Sequence, residues 1–271
     1  TFSIVTLIIA IAMQSTPFSI QAVDILGGLS FKFPTEHTAL ALAVFGFTGI
    51  SYGEIMAYTY WCKEKGYSNH DGDPKQVRNW IKTMQTDVWI TVFLVTIGTI
   101  PFFLLGASIL NSQGLYPPPN GDIIQTLLVM FTSILGEWAR WFFIPLTFFV
   151  LFSTFLSGTA AFTRTISDYF ISMGLIVEKG NTRQTLIHYI AFLIPAFSCL
   201  AYFILPNPIL LLMIAGIWAA LGLPIVNIGA LYLVNKLDKE LQPSNLTKII
   251  LTITLVFQLG IAGLLIFSQM S

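Results

Sequence analysis

The stretch Leu42-Ala-Val-Phe-Gly46-Phe-Thr48-Gly49-Ile-Ser51-Tyr52-Gly53-Glu54-Ile-Met-Ala-Tyr58-Thr-Tyr60-Trp61-Cys62 decides how this chain is read. It is apolar and long enough to cross a membrane, which takes about 20 residues for about 30 Å of hydrocarbon. Yet Gly46, Gly49 and Gly53 fall near its middle, Thr48 and Ser51 stand between them, and the carboxylate of Glu54 follows. A charge at that depth costs about 2.5–3.5 kcal/mol on insertion scales, so such residues usually mark an ion or proton path. Irregular backbone at that depth is tolerated only where it lines a protein-walled or watered cavity. The expectation is a helix interrupted between Gly49 and Gly53 that borders a polar site. The plainer alternative is that the glycines permit close helix packing and Glu54 is a capped structural acid.

The composition around this stretch supports a membrane setting. Of 271 residues, 55% are hydrophobic and only 10% charged, against roughly 25% charged in a soluble domain. Mean hydropathy is +0.78. Disorder, which needs low hydrophobicity and high net charge, is excluded. Thirteen basic and thirteen acidic residues balance to zero, which argues against nucleic acid as a partner. Two cysteines, Cys62 and Cys199, make neither a disulfide framework nor a Cys-rich metal site. The histidines His37, His70 and His188 are scattered. No phosphate loop, nucleophile elbow or zinc-hydrolase motif occurs.

About seven segments have the character of membrane spans, wholly or in part. They end at Met13, or run from about His37 to Tyr60, Asp87 to Leu110, Trp138 to Tyr169, Thr185 to Leu205, Ile209 to Val234 and Leu246 to Phe267. The first is read as cut short. A signal peptide competes for that segment, but no basic flank precedes it. Asp122 to Leu135 is periodic but short, and is expected to be an interfacial or lead-in helix. Basic residues favour one side of the membrane. The loops after the second, fourth and sixth segments hold Lys63, Lys65, Lys75, Arg78, Lys82, Lys179, Arg183, Lys236, Lys239 and Lys248, whereas the alternate loops hold only Lys32. The loop 63–82 is therefore expected in the cytoplasm and the C-terminus outside. Tyr116-Pro-Pro-Pro-Asn120-Gly121 and Pro206-Asn-Pro208 are turns, and Asp71-Gly-Asp-Pro74 breaks the basic loop. The fold class that follows is all-α, a polytopic transmembrane helical bundle forming a single domain over 1–271.

Several other residues have bland readings beside functional ones. Ser153, Ser157, Ala161 and Thr165 recur at steps of four and are expected to pack a neighbouring helix. Gly222-Leu-Pro224, followed by Asn227, is either a kink or a second interrupted helix. Pro101 and Pro195 are expected to be plain kinks. Asp87 reads as an acid opening a helix, and Glu137 with Arg140 as a local ion pair. Trp89, Trp138 and Trp141 suit the aromatic interface belt.

At the interrupted stretch the chain resembles the natural-resistance-associated macrophage protein (Nramp) family of divalent metal transporters. The likeness covers nearly the full length, in the order of that family's helices five to eleven. The family's sixth helix carries Gly-Ala-Thr-Val-Met-Pro-His, and Thr48-Gly-Ile-Ser-Tyr52-Gly-Glu54 lies on it without gaps. Tyr52 then takes the place of the metal-binding methionine, Gly53 of the proline, Glu54 of the histidine, and Gly49 of the alanine whose carbonyl faces the metal. Asp87-Val-Trp-Ile is similar to the start of the seventh helix, and Leu151-Phe-Ser-Thr-Phe-Leu-Ser-Gly-Thr-Ala to the eighth. Leu221-Gly-Leu-Pro224 is similar to Leu-Gln-Leu-Pro of the tenth, with Gly222 where the family often has glutamine. Tyr58-Thr-Tyr-Trp-Cys-Lys-Glu-Lys-Gly-Tyr67 is similar to a divergent bacterial branch. The family's first-helix Asp-Pro-Gly motif has no counterpart in this chain.

The resemblance implies part of a LeuT-like inverted-repeat fold with N-terminal helices missing, in a bacterial inner (plasma) membrane. It implies a secondary transporter moving manganese, iron or magnesium, with proton coupling left open. Gly49, Tyr52, Glu54 and Gly222 become the substrate-binding candidates, Glu54 and Tyr52 the side-chain metal ligands, and Glu54 the candidate for a proton path. Loss of the thioether leaves an all-oxygen set, which leans toward magnesium or manganese. No cofactor is implied, since the metal ion is the substrate; the other partners are protons and the lipid bilayer, not nucleic acid. Two further readings are a non-transporting binding or scaffold protein of the same fold and a membrane-embedded enzyme. The enzyme would need several polar groups at one depth, and only Glu54 stands deep.

Overall fold

The computed structural model describes residues 2–28, 38–67, 74–115, 123–239 and 241–270. Among them every regular element is helical: α1 (Phe2–Met13), α2 (Ala22–Gly28), α3 (Thr38–Phe47), α4 (Tyr52–Glu64), α5 (Pro74–Leu105), α6 (Ile123–Leu135), α7 (Ala139–Ser172), α8 (Thr182–Ile204), α9 (Pro208–Lys236) and α10 (Asn245–Met270). A π-turn, Gly106–Leu110, extends α5. Lys32, His37, His70, residues 71–73 and the proline-rich turn 116–121 lie outside the described residues.

Among the described residues six helical stretches are long and apolar enough to cross a membrane: Thr38–Glu64, which includes the interruption, Lys75–Leu110, Ala139–Ser172, Thr182–Ile204, Pro208–Lys236 and Asn245–Leu264. The first expected segment is a short apolar helix. Large apolar side chains line the outsides of the long helices. Phe192, Phe197 and Phe203 on α8 are 77%, 72% and 77% exposed. Apolar surface on that scale needs a surround other than water. The bundle is therefore a polytopic membrane architecture.

The chain divides into two compact units. One comprises Thr1–Lys32, Trp89–Ala160 and Ala191–Ile209. Its core joins Ile9 and Met13 of α1, Leu105 and Ile109 at the end of α5, Leu128, Met130 and Phe131 of α6, and Phe143 of α7. The rings of Phe131 and Phe143 lie 4.5 Å apart. The segment expected to be an interfacial lead-in is thus a core helix, because its buried face docks on α1 and the π-turn. The other unit comprises Phe33–Val88, Ala161–Ile190 and Leu210–Ser271, and it contains the interrupted helix.

Two boundaries differ from the expectations. Asp87 does not open a helix: α5 begins at Pro74, a residue suited to a first helical turn because it has no N–H to leave unpaired. Gly222 and Pro224 do not interrupt α9, which runs unbroken from Pro208 to Lys236. Pro101, Pro145 and Pro195 likewise lie inside continuous helices. On α7, Ala161 and Thr165 are buried as expected of a packing row, but Ser153 and Ser157 are exposed and bond back to the carbonyls of Val150 and Thr154.

Candidate functional site

The interruption arises from a stop signal and a start signal placed almost end to end. At the end of α3, the Thr48 backbone N–H and side-chain hydroxyl both donate to the Val44 carbonyl, at 2.8 and 2.7 Å. Gly49 follows with φ +90°, the left-handed geometry that closes many helices and suits glycine. Two residues later Ser51 is extended (φ −73°, ψ 162°) and caps α4. Its backbone N–H donates to Glu54 Oε2 at 2.7 Å, the glutamate half of a capping box. The non-helical segment is therefore Thr48–Ser51, and Tyr52 and Gly53 already belong to α4. The break starts one residue before the expected position and ends before Gly53, because the cap and not the glycine sets where α4 begins.

Both sides of the break rest on α9, within one unit. On the α3 side the backbones nearly touch. A Cβ added to Gly216 would stand 2.5 Å from the Ala43 carbonyl oxygen and 2.8 Å from its Cα, and one added to Gly46 would meet the backbone of Gly216 and Ala220. On the α4 side the ring of Tyr52 lies against Gly222, where a Cβ would be 2.5, 2.7 and 2.8 Å from Cδ1, Cγ and Cε1. Gly53 faces the Phe162 ring of α7, with Cε1 and Cζ both 3.3 Å from a Cβ placed there. One turn further along α4, Met56 Sδ accepts the Tyr169 hydroxyl of α7 at 3.5 Å.

Of the four sequence candidates, the structure thus brings Tyr52 and Gly222 together and places Gly49 and Glu54 at the two ends of the gap. Glu54 is exposed. Phe162 and Tyr169 were not foreseen. They are apolar or aromatic residues on a helix full of them, so no local signal distinguishes them. Asn227, one turn beyond Pro224, is 7% exposed, and its amide nitrogen donates to the Leu251 carbonyl and Gln258 Oε1 of α10 at 3.4 and 3.2 Å.

The far end of α4 is held by charge. Arg164 of α7 pairs with Glu64 and stacks over the Trp61 ring, 5.0 Å from its centroid. Lys65 pairs with Asp87 of α5 at 3.4 Å. Arg183 of α8 makes a two-pronged bond to Asp168 of α7 at 2.6 and 3.2 Å, and Tyr60 stands beside the same carboxylate. Glu137 and Arg140 form the local pair that their spacing implied, at 3.5 Å.

Among the described residues no group of three His, Cys, Asp or Glu side chains could hold a metal ion. An ion at the break would have to use backbone carbonyls, the phenol and a single carboxylate. The last carbonyls of a helix lack intrahelical partners and carry partial negative charge, so the end of α3 suits a cation. The start of α4 carries the opposite partial charge. Glu54, which accepts the Ser51 N–H, adds an acidic side chain at the α4 terminus.

The family model described as natural resistance-associated macrophage protein-like matches residues 1–268. No curated protein and no solved structure matches the chain significantly. With nearly its whole length matched and six stretches able to span a bilayer, the chain belongs to the Nramp family: an integral membrane transporter of divalent metal ions, not an enzyme.

Proposed function

We propose that the divalent ion is held at the gap between α3 and α4, with Glu54 and Tyr52 as side-chain oxygen ligands and the Gly49 region supplying backbone carbonyls. The observation that carries this reading is the Ser51–Glu54 contact, which holds a carboxylate at the start of α4, beside a break whose other lip is the C-terminal end of α3. Oxygen ligands without a thioether favour magnesium or manganese over softer metals. Gly222 enters as the residue against which Tyr52 rests.

The resemblance of Tyr58–Tyr67 to a bacterial branch supports a bacterial inner membrane, and the basic-residue bias supports the loop 63–82 in the cytoplasm and the C-terminus outside. A cysteine placed at Lys75 should be shielded from an impermeant maleimide added outside intact cells. Strong labelling there would reverse the topology.

The site is tested by Glu54→Gln in the full-length protein reconstituted into liposomes. Glutamine can still accept the Ser51 N–H, so the cap and the expression level should persist. Manganese and magnesium uptake should fall about tenfold or more, since even residues that only support a metal ligand cost 10–100-fold when lost. If Glu54 instead accepts a proton during transport, the variant should bind manganese normally and lose the pH dependence of uptake. Uptake and pH dependence equal to wild type would leave Glu54 as a helix cap alone, and would favour a scaffold of the same fold with no ion at this break.

A further inference from the structure

We infer that Gly222 is a selectivity-determining positioning residue: it forms the notch that seats the Tyr52 ring, and so fixes where the phenolic oxygen stands. The inference rests on the site proposed above and adds to it a residue that is not itself a ligand.

The contact is tight at the root of the side chain, not at its tip. A Cβ on Gly222 would stand 2.7 Å from Tyr52 Cγ, the ring atom nearest the backbone, and 2.5 and 2.8 Å from Cδ1 and Cε1 on the same edge. Moving Cγ requires a change of rotamer or of backbone, because it is only one bond from the Tyr52 Cβ. The backbone there is itself constrained, since Tyr52 is the first residue of α4 and follows directly on the Ser51 cap. The ring therefore has its place only while position 222 lacks a side chain.

The other lip of the break is referenced to the same helix. Gly216, six residues earlier on α9 and so about 9 Å away along its axis, receives the α3 backbone. One continuous helix thus locates both the carbonyl-bearing end of α3 and the phenol of α4. Spacing between the two ligand sources is set by the rise of α9 and not by the irregular segment 48–51.

Ion discrimination follows from that placement. An ordinary contact begins near 3.4 Å, so a methyl group at 222 obliges the ring to retreat by roughly 0.9 Å from its present edge. Ligand constellations tolerate only about 0.5 Å before function is lost. Magnesium requires a near-ideal octahedron at short distances, whereas calcium accepts longer and less regular ones. A displaced phenol should therefore penalise magnesium and manganese more than calcium.

The experiment measures manganese and calcium uptake by the full-length protein in liposomes for wild type, Gly222→Ala, Tyr52→Ala and the double variant. Gly222→Ala is expected to shift the manganese-to-calcium ratio of half-saturation constants about tenfold toward calcium, the lower bound for losing a ligand's support, with maximal rates within about threefold. In the Tyr52→Ala background, adding Gly222→Ala should change nothing, because the ring it displaces is gone. An unchanged ratio in Gly222→Ala, or an equal shift in both backgrounds, overturns the inference. Should Gly222→Ala alone fail to reach the membrane, the double variant, in which the ring that the new methyl would meet is gone, is expected to reach it. Failure of the double variant where Tyr52→Ala alone succeeds overturns the inference. Glu54→Gln separates the two levels: if it abolishes uptake while Gly222→Ala leaves the ratio alone, the site stands and the role of Gly222 falls. If Glu54→Gln is silent, the site itself falls.

Discussion

The Gly216 contact permits a quantitative test on a single helix. Gly216→Ala places a Cβ 2.5 Å from the Ala43 carbonyl oxygen and 2.8 Å from its Cα, with Phe47 Cδ2 at 2.9 Å. Two of these three atoms are backbone, so no side chain can swing aside to admit the methyl. Restoring an ordinary distance of 3.4 Å means moving α3 off α9 by roughly 0.9 Å. A gap of 0.5–1 Å forfeits about a quarter to a half of each dispersion contact along the seam, and overpacking of this kind costs about 1–3 kcal/mol. The gain from replacing a mid-helix glycine by alanine, about 0.5–1 kcal/mol, offsets part of this. Gly229 supplies the control: it lies on the same α9, and a Cβ there meets nothing within 4 Å. Gly229→Ala should therefore stabilise by about the propensity difference alone. Thermal melts in detergent, read by size exclusion, should place Gly216→Ala below wild type and Gly229→Ala at or above it. The propensity gain is common to both, so the two variants should differ by the overpacking cost alone, roughly 2–12 °C at about 2–4 °C per kcal/mol. A melting temperature for Gly216→Ala equal to or above that of Gly229→Ala would refute the close approach of α3 and α9.

Two more expectations concern α3 and α4. Gly49→Ala puts a Cβ on a residue at φ +90° and should cost about 1–2 kcal/mol; since nothing lies within 4 Å of that Cβ, the loss seen in a melt should be similar for Gly49→Ala and Gly49→Ser, and dependence on side-chain size would point to crowding instead. Reversing the pair as Glu64→Arg with Arg164→Glu should recover part of the stability lost in either single variant, by up to about 1 kcal/mol; additive losses in the double variant would mean that the two charges do not interact.

The break itself was legible because its signals are local. Glycine at a helix end and Ser-x-x-Glu at a helix start need only a few residues to be recognised. Its bounds were misread because Gly53 was given the weight that belongs to Ser51. The start of α5 was misplaced for a different reason. Hydropathy reports which residues tolerate lipid, and Lys75, Arg78 and Lys82 do not, yet they continue the same helix back to Pro74. Pro224 shows the converse: a proline deprives a helix of one donor, but the packing around α9 keeps it continuous. The Tyr52–Gly222 and Glu64–Arg164 contacts join residues about 170 and 100 positions apart. No pattern within either segment encodes its partner, although Gly222 stood out where a larger polar side chain was expected.

The ionic ties at the far end of α4 have an energetic consequence. Glu64 and Arg164 are 45% and 23% exposed, and Lys65 and Asp87 55% and 34%. Pairs this open to solvent contribute about 0–1 kcal/mol each, so together they restrain α4 by no more than about 2 kcal/mol. A restraint of that size is small beside the packing that holds the start of the same helix, with Tyr52 on Gly222 and Gly53 on Phe162. Salt would weaken it further, since the screening length shrinks from about 8 Å at physiological ionic strength to about 3 Å at 1 M. The backbone contacts between α3 and α9 carry no charge and are indifferent to salt. Ionic strength therefore acts unequally on the two halves of the interrupted helix: it weakens the ties at the far end of α4 and leaves the seam of α3 on α9 as it is.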